Sequence, residues 1–143
     1  MTHESTKDIV KEYLEAWNNR EFDRMRDLMH PDYTYTGGDG REQKGPEAGL
    51  AVSRMFASAF PDGRTNVVNI KESGDTVLVE KIGRGTHRGD LMGMAATGRS
   101  VAIPVCEVFE VRDGKIYRER EYLDMATMMT QLGVTRVPSA ALA

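Results

Sequence analysis

The sequence predicts an α+β fold in which helices come first and a meander of antiparallel strands follows. Three observations carry this. Residues 5–18 place Ile9, Val10, Tyr13, Leu14 and Trp17 at three- and four-residue spacing, the apolar stripe of one helix. Residues 45–60 repeat a helical pattern behind Pro46, a proline suited to a first turn. From Thr65 onward the chain reads as strands separated by turn signals, Ser73-Gly74-Asp75 and Arg112-Asp113-Gly114. Helices followed by a run of strands is the α+β pattern. A curved, mixed or antiparallel sheet wrapped around three N-terminal helices leaves a conical pocket, a common site for a small apolar ligand.

Taken in order, the first helix spans 5–18, with Ser5 or Thr6 to cap its start and Asn18-Asn19 to end it. A second helix, 21–29, puts Phe22, Met25, Leu28 and Met29 on one face and stops before Pro31. Asp32 to Thr36 is a short strand with Tyr33 and Tyr35 on the same side, and Gly37 to Gly40 is a loop. The third helix turns Leu50, Met55, Phe56 and Ala59 inward and ends at the Pro61-Asp62-Gly63 turn. Strands follow at 65–71, 76–87, 101–111 and 115–122, with a glycine-rich loop at 88–99 that is expected to be mobile. A short helix, 124–132, closes the domain with Gly133 behind it. The tail, 134–143, is predicted to be flexible.

A chain of 143 residues suits one domain and buries a core without staples. One cysteine, Cys106, precludes an internal disulfide, and no Cys/His set has metal-ligand spacing, so neither metal nor cofactor is expected. Cys106 reads as a small buried residue rather than a nucleophile. With no long apolar run and no leader pattern, the expectation is a cytoplasmic protein with no membrane partner. A net charge of −3 with scattered Lys and Arg gives no basic face for nucleic acid. The nine methionines fill a core adaptably or line a pocket for a flat apolar ligand.

Residues 118–121, Arg-Glu-Arg-Glu, are unusual for a strand. A three-residue hairpin loop at 112–114 would pair Glu107 with Glu119. The odd-numbered positions then share one face: Ile103, Val105, Glu107, Phe109, Val111, Tyr117, Glu119 and Glu121. Because that face is mostly apolar on 101–111, it is expected to line the pocket. Three carboxylates crowded in an apolar setting have raised pKa values, as a general acid or base near neutral pH requires. The alternative is a structural network in which these acids pair with Arg84, Arg118 or Arg120, or simply face water.

The remaining candidates each carry two readings. Asp124 caps the last helix or stands at the pocket mouth. His87 polarises a substrate carbonyl or anchors the glycine-rich loop. Arg84 neutralises an enolate or pairs with an acid. Tyr33 and Tyr35 donate to a substrate oxygen or pack against the first helix. Trp17 is core or pocket wall.

Three segments carry a family resemblance: GTHRGDLMGMAATGRSV (85–101), EVRDGKIYREREYLD (110–124) and MTQLG (129–133). With EYLEAWNNREFDRMRDLMHPDY (12–33), they resemble the SnoaL-like polyketide cyclases of the nuclear transport factor two-like superfamily. The resemblance implies a single cone-shaped domain over residues 1–143, often dimeric. It also implies a cofactor-free enzyme of the lyase or isomerase class, acting by acid–base chemistry on a polyketide-like or polycyclic carbonyl compound. The partner is then a small apolar or aromatic substrate, and the assembly a homodimer. The family's histidine on the penultimate strand and aspartate on the last fall at Glu107 and Glu121, with Arg120 where a tryptophan would stand. A further family histidine falls near Thr36. Glu121 is then the expected base, Glu107 and Glu119 shape its pKa, and Arg84 or His87 steadies the oxyanion. A related branch, cofactor-independent aromatic hydroxylases, does not depend on the histidine. A non-catalytic small-molecule binder on the same cone is the other reading. Limonene epoxide hydrolase chemistry is not expected, since the middle strand carries Lys81 and Gly83 where that triad needs Arg and Asp.

Overall fold

The computed structural model describes residues 5–134. The order is α1 (Thr6–Asn18), α2 (Phe22–Asp27), β1 (Met29–Thr36), β2 (Glu42–Lys44), α3 (Pro46–Ala59), β3 (Arg64–Ser73), β4 (Thr76–Thr86), β5 (Ser100–Arg112), β6 (Lys115–Leu123) and α4 (Met125–Gln131). One six-stranded sheet runs β2-β1-β6-β5-β4-β3. Its pairs are antiparallel except β1 with β6, which is parallel. The sheet is therefore mixed, and the α+β expectation holds. The flexible tail expected at 134–143 lies, beyond Val134, outside the described residues.

Local chemistry fixes most element ends. Ser5 caps α1, its Oγ accepting from the Asp8 amide at 3.1 Å. The second helix is shorter than its apolar spacing suggests. It stops at Asp27 because the Leu28 carbonyl accepts from the Ile116 amide (2.7 Å) and Met29 pairs with Ile116. Sheet pairing thus overrides helical propensity, and Pro31 sits inside β1, in an irregular stretch where it need not donate. The fully exposed β2, Glu-Gln-Lys, has no apolar pattern by which the sequence would reveal it.

The β5–β6 hairpin corrects the expected register. Its turn has two residues, Asp113 (φ 54°) and Gly114 (φ 72°), both left-handed as a tight primed turn requires. That turn alone would set odd positions opposite even ones. A bulge at Tyr117 restores the parity: Val111 faces Ile116, but Glu110 faces Arg118. Glu107 therefore pairs with Glu121 and Phe109 with Glu119, so the expected Glu107–Glu119 pair does not form. The three glutamates still share a face. Tyr117 leaves it and is replaced inside by the buried Ile116. Outside, Tyr117 lies between the Arg112 and Arg118 guanidinium groups, 3.9 and 3.8 Å from its ring centre.

Two apolar clusters fill the concave side. One joins Ile9, Val10, Tyr13 and Leu14 of α1 to Tyr33, Leu50, Val77, Val79 and Phe109. The other joins Phe60, Leu91, Val101, Ile103, Met128 and Leu132 under α4 and the 88–99 loop. That loop is tied down by the Leu91–Met94 bridge and by Arg88 and Gly89 amides donating to the Ala59 carbonyl.

Candidate active site

A cavity of about 130 Å³ lies between the concave sheet face and the helices. Leu14 and Trp17 of α1, Val52 and Phe56 of α3, and Val101, Ile103, Val105, Leu123 and Met128 form its apolar wall. Into this wall project Glu107, Glu119, Glu121, Lys81, Tyr13 and Tyr35. Alternation places them there. Val77, Val79, Lys81 and Gly83 form the inward phase of β4, and Lys81 and Glu107 are on neighbouring strands two residues apart in register.

The polar groups form one connected set. The Lys81 ammonium, 10 % exposed, pairs with Glu107 Oε1. Glu107 is buried, and its Oε2 has no donor among the described residues. Glu119 accepts the Tyr33 hydroxyl at 2.6 Å and the Tyr13 hydroxyl at 2.9 Å, both on Oε1. Burial first, then the Glu107 charge and a hydrogen bond to Glu107, raise the Glu119 carboxyl well above the ordinary range. For Glu121, burial and the Glu107 charge raise the carboxyl to about 7, while Lys81 and Tyr35 oppose them. Lys81 is itself raised: burial lowers it, but Glu107, Glu121 and Glu119 together outweigh that. The set thus joins the Lys81–Glu107 ion pair, a Glu119 carboxyl whose charged form is disfavoured, and a Glu121 carboxyl raised to about 7.

The expected residues are not all placed alike. Glu107, Glu119, Glu121, Tyr35 and Trp17 line the cavity, and buried Tyr33 meets it through Glu119. The arginines expected to neutralise the acids do not reach them. Arg120 pairs with Glu110 on the outer face, and Arg118 donates to Tyr117 Oη (2.8 Å) and the Asp32 carbonyl (3.1 Å). Arg84 borders the cavity, but it follows inward Gly83, so alternation turns its side chain outward, where Nε donates to Asn66 Oδ1 (3.1 Å). Its guanidinium thus makes a contact on the outer face while the residue still borders the cavity.

His87 lies apart from these residues. It is fully buried outside the cavity lining, packed 5.5 Å from the Phe60 ring centre. Its Nδ1 accepts from the Thr97 amide (3.2 Å) and lies 3.0 Å from Thr97 Oγ1. This is the loop anchor. Asp124 stands outside the cavity lining as the α4 cap, with Oδ1 accepting from the Thr127 amide (2.9 Å) and Oδ2 from its hydroxyl (2.7 Å). Those bonds, the hydroxyl's first, hold its carboxyl below the usual range. Asp124→Ala is expected to lower the midpoint of chemical denaturation and to leave the cavity's titration unchanged; an unmoved midpoint would show that the cap is idle.

Two cavity residues, Lys81 and Tyr13, are not evident as functional from the sequence. The signal for Lys81 was a lysine in the inward phase of an otherwise apolar strand. Tyr13 sits in the apolar stripe of α1, where nothing distinguishes its hydroxyl from that of a packing residue.

The model of the SnoaL-like polyketide cyclase family matches residues 7–132. An aklanonic acid methyl ester cyclase from Streptomyces galilaeus is 30% identical over 126 residues, 87% of this chain and 88% of the relative. A nogalonic acid methyl ester cyclase from Streptomyces nogalater is 29% identical over 122 residues, 84% of this chain and 91% of the relative. Among solved structures, a candidate polyketide cyclase from Streptomyces antibioticus is similar with a TM-score of 0.81 and 29% identity, over 92% of this chain and all of that one (100%). A candidate hydroxylase from Streptomyces galilaeus is similar with a TM-score of 0.81 and 25% identity, over 96% of this chain and 87% of that one.

Proposed function

The chain belongs to the SnoaL-like polyketide cyclase family, and from that premise we propose that it is a cofactor-free enzyme closing a ring in a polyketide-derived ester by intramolecular aldol addition. The observation that carries this reading is the convergence of Glu107, Glu119, Glu121 and Lys81 in one apolar cavity. Glu121 as carboxylate takes a proton from the carbon beside a carbonyl. The enolate carbon then forms a bond to a second carbonyl carbon of the same molecule, and that carbonyl's oxygen becomes an alkoxide. The proton on Glu121 passes to the alkoxide, so the product is an isomer of the substrate and the enzyme is restored. Lys81 steadies the developing oxyanion, a role its ion pair with Glu107 fixes in position. Neutral Glu119, held by Tyr13 and Tyr33, keeps the cavity from carrying three negative charges.

The test is incubation with aklanonic acid methyl ester, the compound named for the relatives, followed by separation and mass measurement. A new species of unchanged mass supports the proposal; recovery of starting material alone, with this and the nogalonic analogue, overturns it. A second reading, cofactor-independent hydroxylation, is favoured by Glu107 at the position of the cyclases' histidine and by the likeness to the hydroxylase candidate. Substrate-dependent oxygen uptake with a mass gain of one oxygen distinguishes it. We place the protein in the cytoplasm as a homodimer on the family likeness. Val68 and Tyr122, exposed on the outer sheet face, are compatible with a second copy there.

A further inference from the structure

Gly49 lies inside α3, where glycine weakens a helix relative to alanine. Its backbone conformation does not require glycine, for its φ is not positive. What requires it is Tyr33. A Cβ at residue 49 would lie 2.5 Å from Tyr33 Cε1, 2.6 Å from its hydroxyl oxygen and 2.8 Å from Cζ. The tyrosine ring therefore lies in a slot that exists only because α3 has no side chain there. At the end of that ring the hydroxyl meets Glu119 Oε1 at 2.6 Å, the shorter of the two bonds that oxygen accepts. The same device recurs once. A Cβ at Gly37 would lie 2.7 Å from the hydroxyl oxygen of Tyr35, the tyrosine beside Glu121, and Gly37 likewise has no positive φ.

We propose that Gly49 is a positioning residue of the acid–base site, its missing side chain forming the seat that holds the Tyr33 hydroxyl on Glu119. The role rests on the acid–base reading above for its meaning, but the seat itself is a matter of geometry and is tested without substrate. A methyl group at 49 cannot be absorbed by a flexible side-chain end. The ring is fully buried, and its edge as well as its hydroxyl stands in the way. Tyr33 must shift along its strand or rotate, and either movement breaks a bond of 2.6 Å. Glu119 then keeps Tyr13 as its one remaining tyrosine donor among the described residues.

The readout is the hydrogen-bonded hydroxyl proton of Tyr33 in a proton NMR spectrum of the full chain. A buried O–H···O bond this short gives a downfield, exchange-protected signal. Tyr33→Phe assigns it by removing it, and Tyr13→Phe assigns its neighbour. In Gly49→Ala the Tyr33 signal is expected to disappear or move to the position of an unbonded phenol, while the Tyr13 signal persists. An unmoved Tyr33 signal in Gly49→Ala overturns the proposal, whatever happens to stability. If Gly49→Ala does not fold, the same substitution is made beside Tyr33→Leu, whose smaller side chain clears the slot. There alanine is expected to raise the melting temperature, as its helix preference dictates. If the double variant fails to fold or melts lower than Tyr33→Leu alone, residue 49 is confined by something other than Tyr33 and the proposal falls. Loss of the ring-closing activity in wild type would overturn the function proposed above and leave the NMR result untouched, so the two failures are separable.

Discussion

Replacing Glu121 by glutamine is expected to lower kcat for ring closure by about 10²–10⁴-fold, the usual contribution of a positioned general base. Glutamine keeps the size and polarity of the side chain and loses only the proton affinity. The fold should persist, because Glu121 is not part of the buried Lys81–Glu107 pair and its tyrosine neighbour, Tyr35, can donate to an amide oxygen as well. A circular dichroism spectrum and melting curve like wild type, with turnover lost, is the expected pair of results. Retained turnover would remove Glu121 from the base position. Unfolding would mean that the residue is structural.

The second large effect is expected at Lys81. Truncating it in Lys81→Met leaves Glu107 buried with no cation beside it and with Glu119 and Glu121 close by. Breaking one half of such a pair costs about 3–5 kcal/mol, because a buried charge is left uncompensated. The carboxyl can escape that cost by taking up a proton, so the loss should be larger at pH 8 than at pH 5.5. Removing both partners, Lys81→Met with Glu107→Gln, should recover most of the stability, since no charge is then stranded. Activity separates the structural from the chemical role. The double variant should fold and still turn over about 10²–10³-fold more slowly than wild type, the usual loss for one oxyanion donor. Wild-type stability in Lys81→Met would show that the pair is not buried in solution. Wild-type turnover in the double variant would show that the ammonium does not serve the reaction.

The broad fold was legible because its long elements announce themselves by period. The stripe of α1 and the long antiparallel run of β3 to β5 needed no tertiary information. Where the sequence misled, a long-range contact had outweighed a local signal. Met29 belongs to a helical apolar face by spacing, yet a parallel pairing with Ile116, far along the chain, draws it into β1. The β5–β6 register depended on two local events together, a two-residue turn and a bulge at Tyr117. Each alone would have reversed the faces, and their combination left the glutamates sharing one. The face was therefore legible for a partly different reason from the one that set it. Within the site, the acids stood out because charge is unusual on an apolar strand face. Arg84 and His87 drew attention by residue type alone, and the structure turns one outward and commits the other to Thr97. Tyr13 and Gly49 were illegible because a tyrosine in an apolar stripe and a glycine in a helix acquire meaning only beside the residues they meet in space.

In the proposed reaction, a carboxyl lifted into the neutral range by its burial and its acidic neighbour performs proton abstraction in the cavity. The pH dependence of kcat/KM for ring closure, measured in wild type and Glu121→Gln, tests it most directly. Glu121 must be ionised to act, and its raised value of about 7 means that it is protonated below neutrality. The wild-type rate should therefore rise with pH through about 7 and level off above it, and the residual rate of Glu121→Gln should lack that rise. A wild-type rate that is flat from pH 5.5 to 8.5, or a Glu121→Gln profile that keeps the same rise, would contradict the account.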